Sequence, residues 1–229
     1  SKLSTWKSLK DIDFALENSL KNLQTDYLDL YQVHSWKEDI PMEDTIDKLL
    51  QLKDKGYFRY LGVSNFYSEQ IKRINSFADN QIISSQPHYS ILFRYSERDP
   101  IPQSEKLGIG SIVYSPIGRG LLSGKYKPGH QFDSKDTRAN HHAFEKDYFD
   151  RGFKIFKSLE KFAAEKEVEV SQIVIAWTLH TNGVVSAICG AKNSEQAVSN
   201  AQAGDIELTQ NQLQEIENLT KRFSVFEKV

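Results

Sequence analysis

The sequence is poor in cysteine, in long apolar runs and in any excess of one charge sign. The single cysteine, Cys189, cannot form an internal disulfide, which excludes a disulfide-stabilised secreted scaffold. Apolar runs stay well short of the roughly 20 residues that span a bilayer, and residues 1–6 lack the apolar region of a secretory signal. Basic and acidic side chains number 29 and 31, giving a formal net charge of −2. We therefore expect a cytoplasmic protein with neither nucleic-acid nor membrane partners.

Helical and strand patterns alternate along the chain, as they do in βαβ units over a parallel sheet. Helical segments carry apolar residues at every third or fourth position, for example over 9–23 and 148–166. Short runs rich in β-branched and aromatic residues lie between the helices. These runs predict strands at 27–33, 60–65, 82–89, 110–116 and 184–190. Helix caps are predicted at Ser68, Ser171 and Thr209-x-x-Gln212, a left-handed helix end at Gly56 and a long loop at 118–142.

Five parallel strands left open would expose one apolar face and two edges. We therefore interpret the pattern as an α/β fold, with about the last five β/α units of a (β/α)8 TIM barrel followed by C-terminal helices. Residues 1–229 are predicted to form one domain, a partial barrel. The alternative is an open, doubly wound sheet, but the sequence lacks the Gly-x-Gly-x-x-Gly phosphate signature after its first strand.

Polar side chains follow several of the predicted strands, at the ends where α/β barrels hold their chemistry. His34 ends the first strand, Ser64-Asn65 the second and Gln86 the third. A lone histidine in this position more often hydrogen-bonds a neighbour than takes part in catalysis, and Ser-Asn alone is usually a turn. The three positions in successive strand ends are more specific than any one of them.

These segments together resemble the aldo-keto reductase family. Residues 27–34 are similar to its fourth-strand pattern dYiDLyqlH, and residues 62–65 to GvSNf. Residues 114–125 resemble YSPLa.GlLtGKY, and residues 190–200 resemble pGa.n.eql.eN. The resemblance implies that His34 orients a substrate carbonyl and assists protonation of its oxygen. It also implies that Trp36 lines the substrate pocket, although an aromatic at the rim is an equally good interpretation.

An NADP(H) site follows from the same resemblance, and no metal site is predicted. Ser64, Asn65 and Gln86 would hold the nicotinamide carboxamide, and Tyr114 would stack on the ring. The remaining implied contacts are Ser115, Pro116, Ile117, Gly118, Gly120, Leu121, Lys125 and Arg138 near the pyrophosphate, and Gly190, Lys192, Gln196 and Asn200 near the adenosine and its 2′-phosphate. Many family members have arginine where Gln196 stands, and its loss here weakens the expected preference for NADPH. Lys192 partly compensates for that loss, so NADPH is expected ahead of NADH, with NADH possible.

The activity implied is NADP(H)-dependent reduction of aldehydes or ketones, small carbonyl substrates, to alcohols. The family's proton donor is a tyrosine at the end of the second strand, activated by a lysine at the end of the third and by an aspartate. All three are expected to precede Ser1, so none of their roles is assigned here. Two alternatives stay open: an NADPH-binding regulatory subunit similar to potassium-channel β-subunits, and a catalytically inactive truncated homologue. The substrate and the oligomeric state are not predicted.

Overall fold

Strands and helices alternate in the computed structural model, which describes residues 1–139 and 141–227. Two units can be distinguished: the first comprises Ser1–Pro87 and Glu97–Ile112, and the second His88–Ser96 and Val113–Val229. The loop predicted at 118–142 includes position 140, which lies outside the described residues. None of the helices in the described ranges is long and apolar enough to cross a membrane.

The first unit is built on parallel strands that pair in chain order. Helices connect them, because neighbouring parallel strands need a crossover between them. The elements are β1 (Lys2–Leu3), α1 (Leu9–Leu23), β2 (Leu28–Val33), α2 (Met42–Asp54), β3 (Phe58–Ser64), α3 (Ser68–Phe77), β4 (Ile82–Gln86), α4 (Ile101–Lys106) and β5 (Gly110–Tyr114), whose last two residues belong to the second unit. One apolar core, which includes Ile12, Ile46 and Leu61, joins the helices to the sheet.

The second unit is mainly helical. Its elements are 3-10 turns at Tyr95–Glu97, Gly118–Ser123 and His142–Phe144, then α5 (Lys146–Glu165), α6 (Val170–Leu179), β6 (Val184–Ile188), α7 (Ser194–Gln202), a 3-10 turn at Ala203–Asp205, α8 (Gln210–Thr220) and a last turn at Lys221–Phe223. Nearly every residue of α6 is buried, as expected for a helix that is apolar on all sides. The predicted capping box of Thr209 and Gln212 is confirmed at the start of α8.

Three predicted strands run at least two residues past the observed ones, and one of these, predicted to 190, ends at Ile188 in β6. β4 ends at Gln86 and β5 at Tyr114, whereas the sequence predicted strands to 89 and 116. Pro87 and Pro116 explain the difference, because proline has no N–H to donate to a neighbouring strand. A further strand, β1, escaped prediction because two residues carry no periodic pattern.

Two predicted helix caps are wrong by one or two residues. Ser68 is the first residue of α3, and both its N–H and its hydroxyl donate to Asp99 Oδ1 at 2.6 Å. Ser171 lies inside α6, whose N-cap is Glu169, and its hydroxyl donates to the Glu169 carboxylate at 3.0 Å. By contrast, Gly56 ends α2 in the predicted left-handed conformation, with φ of 85°.

Candidate functional site

Strand register brings polar side chains together at one edge of the first unit's sheet. Leu3 is paired with Val33, Val33 with Val63, and Ser64 with Gln86. The residues at and just beyond these strand ends therefore meet, because parallel strands carry their carboxyl ends to the same edge. We call this group the His34 cluster; it consists of Lys2, Ser4, Gln32, His34, Ser64, Asn65, Ser84 and Gln86.

His34 is held through its backbone and its ring. Its N–H donates to the Leu3 carbonyl at 3.0 Å, and its own carbonyl accepts from Asn65 Nδ2 at 2.9 Å. Ring atom Nδ1 lies 3.0 Å from Ser4 Oγ. Burial lowers the pKa of His34, and the positive charge of Lys2 lowers it further. The imidazole is consequently neutral near pH 7, a state in which one ring nitrogen donates and the other accepts.

Lys2 begins a chain of hydrogen bonds that crosses the sheet. Its Nζ donates to Gln86 Oε1 at 2.7 Å, Gln86 Nε2 donates to Gln32 Oε1 at 2.8 Å, and Gln32 Nε2 donates to Ser84 Oγ at 3.1 Å. Burial lowers the pKa of Lys2. Sequence reasoning assigned no role to Lys2, Ser4, Gln32 or Ser84. The only sequence signal for Lys2 is indirect: β2 needs a neighbouring strand, and Lys2 lies in the strand that pairs with it.

Ser64 and Asn65, predicted as carboxamide contacts, lie in the same network. The hydroxyl of the fully buried Ser64 donates to the Gln86 carbonyl at 3.0 Å, and Asn65 Nδ2 lies 3.2 Å from Ser64 Oγ. Asn65 adopts a left-handed conformation with φ of 58°, which asparagine tolerates better than most residues. The structure thus brings the predicted residues Ser64, Asn65, Gln86 and His34 together.

Trp36 lies against the first unit's core. Its ring meets Phe66 edge-on at 5.4 Å, and the Arg73 guanidinium lies 5.5 Å above it. This half-buried position suits an aromatic residue at the rim. A role as the wall of a substrate pocket stays a prediction.

A groove of about 890 Å³ lies within the second unit. Its size is that of a site for a small molecule or cofactor. Eleven residues predicted as cofactor contacts line it: Tyr114, Ser115, Pro116, Ile117, Gly120, Lys125, Arg138, Gly190, Lys192, Gln196 and Asn200. Other lining residues, missed by sequence reasoning, include Ser123, Tyr126, Glu169, Ser171, Asn193 and Ser199.

Two predicted contacts, Gly118 and Leu121, are buried and are not among the residues that line this groove. The Leu121 side chain is 1% exposed, and a Cβ built on Gly152 would lie 2.6 Å from one of its methyl groups. The N–H groups of Gly118 and Gly120 donate to the Ser115 and Ile117 carbonyls. These glycines therefore serve the left-handed backbone of the turn, with φ of 57° and 96°, rather than offering those amides to a ligand.

The ring of Tyr114 stacks on the ring of His88, with centroids 5.1 Å apart and planes 29° from parallel. The backbone aids this arrangement, because His88 and Tyr114 form a parallel bridge and the Tyr89 N–H donates to the Tyr114 carbonyl at 3.3 Å. One face of Tyr114 is thus supported by an aromatic neighbour within the second unit.

The start of α7 forms one end of the groove. Asn193 is its N-cap, with Oδ1 accepting the Gln196 N–H at 2.9 Å, and Gln196 Oε1 accepts the Lys192 N–H at 2.8 Å. Asn200 Nδ2 donates to the Gly190 carbonyl at 3.3 Å. Lys192 is exposed, lines the groove and directly precedes the N-cap Asn193. A cation with the positive end of a helix dipole suits a phosphate group.

Arg138 lines the groove, but the loop around it already binds its guanidinium. Nε donates to Asp136 Oδ1 at 2.8 Å, a second nitrogen binds the other carboxylate oxygen, and a third donates to the Tyr126 hydroxyl at 2.6 Å. The guanidinium also lies 4.7 Å over the Phe132 ring. Hydrogen bonds from Arg138 hold the pKa of Asp136 well below its usual range, with a smaller effect from the charge of Lys192. Asp136 offsets the charge that was predicted to reach a cofactor.

The chain is similar to known proteins over most of its length. The chain matches the Aldo/keto reductase family over residues 3–221. It is 35% identical over 183 residues to the aldo-keto reductase YhdN of Bacillus subtilis (strain 168), covering 79% of this chain and 54% of that protein. It is 30% identical over 200 residues to the probable aldo-keto reductase 1 of Glycine max, covering 87% and 57%. The chain spans little more than half the length of these curated relatives.

Two solved structures resemble this chain over 96% of its length. The glycerol dehydrogenase AKR11B4 from Gluconobacter oxydans superposes with a TM-score of 0.85 at 27% identity, covering 96% of this chain and 66% of that one. The thermostable aldo-keto reductase Tm1743, in complex with the inhibitor epalrestat, gives a TM-score of 0.77 at 30% identity, covering 96% and 70%. These matches confirm the predicted α/β fold of the TIM-barrel class.

Proposed function

This chain belongs to the aldo/keto reductase family, and we propose that it binds NADP(H) and takes part in reducing aldehydes or ketones to alcohols. Oxidoreductase chemistry follows from the family. NADPH as the cofactor, a small carbonyl compound as the substrate and a cytoplasmic location are the finer parts of the proposal. The single cysteine supports that location.

The second-unit groove carries the proposal. Within it, Lys192 and the amino end of α7 offer positive charge to a phosphate, and Lys125 adds a second cation. Gln196 uses its Oε1 on the Lys192 N–H, so the cap is already ordered before any ligand arrives. The groove is therefore proposed to hold the pyrophosphate, the adenosine and its 2′-phosphate, with Lys192 responsible for preference for NADPH over NADH.

The His34 cluster supports reduction chemistry. NADPH, when bound, supplies a hydride, and a carbonyl that accepts one develops negative charge on its oxygen. A neutral imidazole that donates an N–H and a neighbouring ammonium both stabilise such charge. His34 and Lys2 provide these two groups. Ser64, Asn65 and Gln86 are proposed to contact the nicotinamide carboxamide.

Lys2 is also a candidate for the activating lysine that the family resemblance implies. That family places its activating lysine at the end of the third strand, one strand before the histidine, and Lys2 stands on the strand that precedes and pairs with β2. We therefore propose Lys2 for this role, in place of a lysine upstream of Ser1. The similarity to a glycerol dehydrogenase makes the carbonyl compounds formed by oxidising glycerol a sensible first substrate set.

The test is NADPH oxidation, followed by absorbance, with a panel of small aldehydes and ketones. We expect consumption that depends on the carbonyl compound and that falls by at least tenfold in His34→Gln. His180→Gln is the matched control, because His180 is the C-cap of α6 and is absent from both the His34 cluster and the groove lining. Equal loss in both variants, or no consumption by the unmodified protein with any carbonyl compound, would argue against the proposed activity.

A further inference from the structure

Ser4 and His34 occupy matching positions just beyond two paired strands. β1 ends at Leu3 and β2 at Val33, and these two residues are register partners. Ser4 directly follows β1 and His34 directly follows β2. Their side chains meet, with Ser4 Oγ 3.0 Å from His34 Nδ1. The contact is thus fixed by the sheet, across 30 residues of sequence.

The backbone around His34 is already satisfied by other groups. Leu3 accepts its N–H, and Asn65 donates to its carbonyl. Because the main chain is held on both sides, the ring is left with rotation about its side-chain bonds and with the choice of which nitrogen carries the hydrogen. Ser4 acts on the ring itself.

A neutral imidazole exists as two tautomers, and the partner of one nitrogen selects the state of the other. A serine hydroxyl can donate or accept, so it is compatible with either. Donation to Nδ1 leaves the hydrogen on Nε2, where it can reach a carbonyl oxygen. Acceptance from Nδ1–H would leave Nε2 as an acceptor, which cannot stabilise a developing alkoxide.

We propose that Ser4 is a positioning residue that donates its hydroxyl hydrogen to Nδ1 of His34 and so holds the ring in its Nε2–H tautomer. The role of that tautomer toward a carbonyl rests on the proposed function. The tautomer itself does not, since it exists in the protein without cofactor or substrate. The two ideas therefore fail separately.

The test is long-range ¹H–¹⁵N NMR of the uniformly ¹⁵N-labelled full chain, which distinguishes protonated from unprotonated imidazole nitrogens. His34→Gln identifies the His34 signals by their loss. Ser4→Ala removes the hydroxyl, Ser4→Thr retains it, and Thr5→Ala removes a neighbouring exposed hydroxyl as the control. The spectra are recorded above the His34 pKa, where the ring is neutral.

We expect a single Nε2–H tautomer of His34 in the unmodified protein, in Ser4→Thr and in Thr5→Ala. In Ser4→Ala we expect that signature to be lost and replaced by averaged shifts of the two tautomers. An Nδ1–H tautomer in the unmodified protein, or an unchanged tautomer in Ser4→Ala, would overturn the proposal. A separate NADPH titration of the same samples reports on the proposed function. If NADPH does not bind but the tautomers are as expected, the proposed function is contradicted and the role of Ser4 is retained.

Discussion

The Nζ atom of Lys2 lies 2.7 Å from Oε1 of Gln86, although 84 residues separate them in the sequence. The bond ties the first residue of β1 to the last residue of β4, and burial of the ammonium lowers its pKa. The charge of Lys2 also accounts for part of the lowered pKa of His34, because it disfavours protonation of the nearby ring.

Replacing Lys2 with methionine should raise the pKa of His34. The side chain keeps most of its length while its charge is removed, so only the burial of His34 continues to lower that pKa. NMR titration of the His34 ring in both proteins measures the change. Lys7→Met is the control, because Lys7 is exposed and its charge is not among the causes of the His34 shift. An equal His34 pKa in the Lys2→Met and unmodified proteins would contradict the electrostatic coupling.

The same pKa has a consequence for stability. In the folded chain His34 takes up a proton less readily than in the unfolded chain, because its folded pKa is below 6.5. This site therefore contributes stability that is present above pH 6.5 and is lost as the pH falls through the folded pKa. Urea unfolding between pH 7 and pH 5 should show a smaller loss in His34→Gln than in the unmodified protein. A steeper loss in the variant would contradict a lowered pKa of His34 in the folded protein.

Gly62→Ala should destabilise the protein by about 1–3 kcal/mol. A Cβ at Gly62 would lie 2.1 Å from Ser84 Oγ and 3.1 Å from Gln32 Cγ, inside the network that holds Gln86. Thermal and urea unfolding measure the effect, and Ser84→Ala added to Gly62→Ala should recover part of it. Gly204→Ala is the matched control, because no atom of the described residues lies within 4 Å of its added Cβ. An unaffected Gly62→Ala protein would show that this edge of the sheet is more loosely packed than described.

Much of this fold follows from local patterns, whereas the bonds within the site do not. The stripe of apolar residues in α1 and the cap at Thr209 are properties of short segments, and both were predicted. The hydrogen bonds of Lys2 and Ser4 depend on the register of β1, a strand too short to have a period of its own. Arg138 shows the same limit of sequence-based prediction. A cation in a loop suggests a ligand contact, and only the structure shows that Asp136 binds this one.

Arg138 should behave as a structural residue of the loop. Arg138→Lys keeps the charge but loses the two-point contact with Asp136, which lysine cannot reproduce. We expect chymotrypsin to cleave at Tyr126 or Phe132 several-fold faster in this variant, and Arg138→Met to behave similarly. NADPH affinity should change less than about twofold in both. A loss of affinity in Arg138→Met that Arg138→Lys restores would return Arg138 to the cofactor contacts.

Lys192→Ala should weaken binding of NADPH by about tenfold, which corresponds to roughly 1.4 kcal/mol. NADH affinity should stay nearly constant, because the lost charge faces the 2′-phosphate in the proposed site. Binding is measured by the fluorescence of the reduced nicotinamide, with Lys127→Ala as the control from an exposed position that does not line the groove. Parallel losses for both cofactors would place Lys192 at the pyrophosphate instead.

The most direct test of the whole account is calorimetric titration of the unmodified chain with NADPH and then with NADH. We expect saturable binding of one cofactor molecule per chain, with NADPH the tighter of the two by about tenfold or more, since only NADPH carries the phosphate that Lys192 and the start of α7 are proposed to meet. No heat of binding with either cofactor, or tighter binding of NADH, would contradict it.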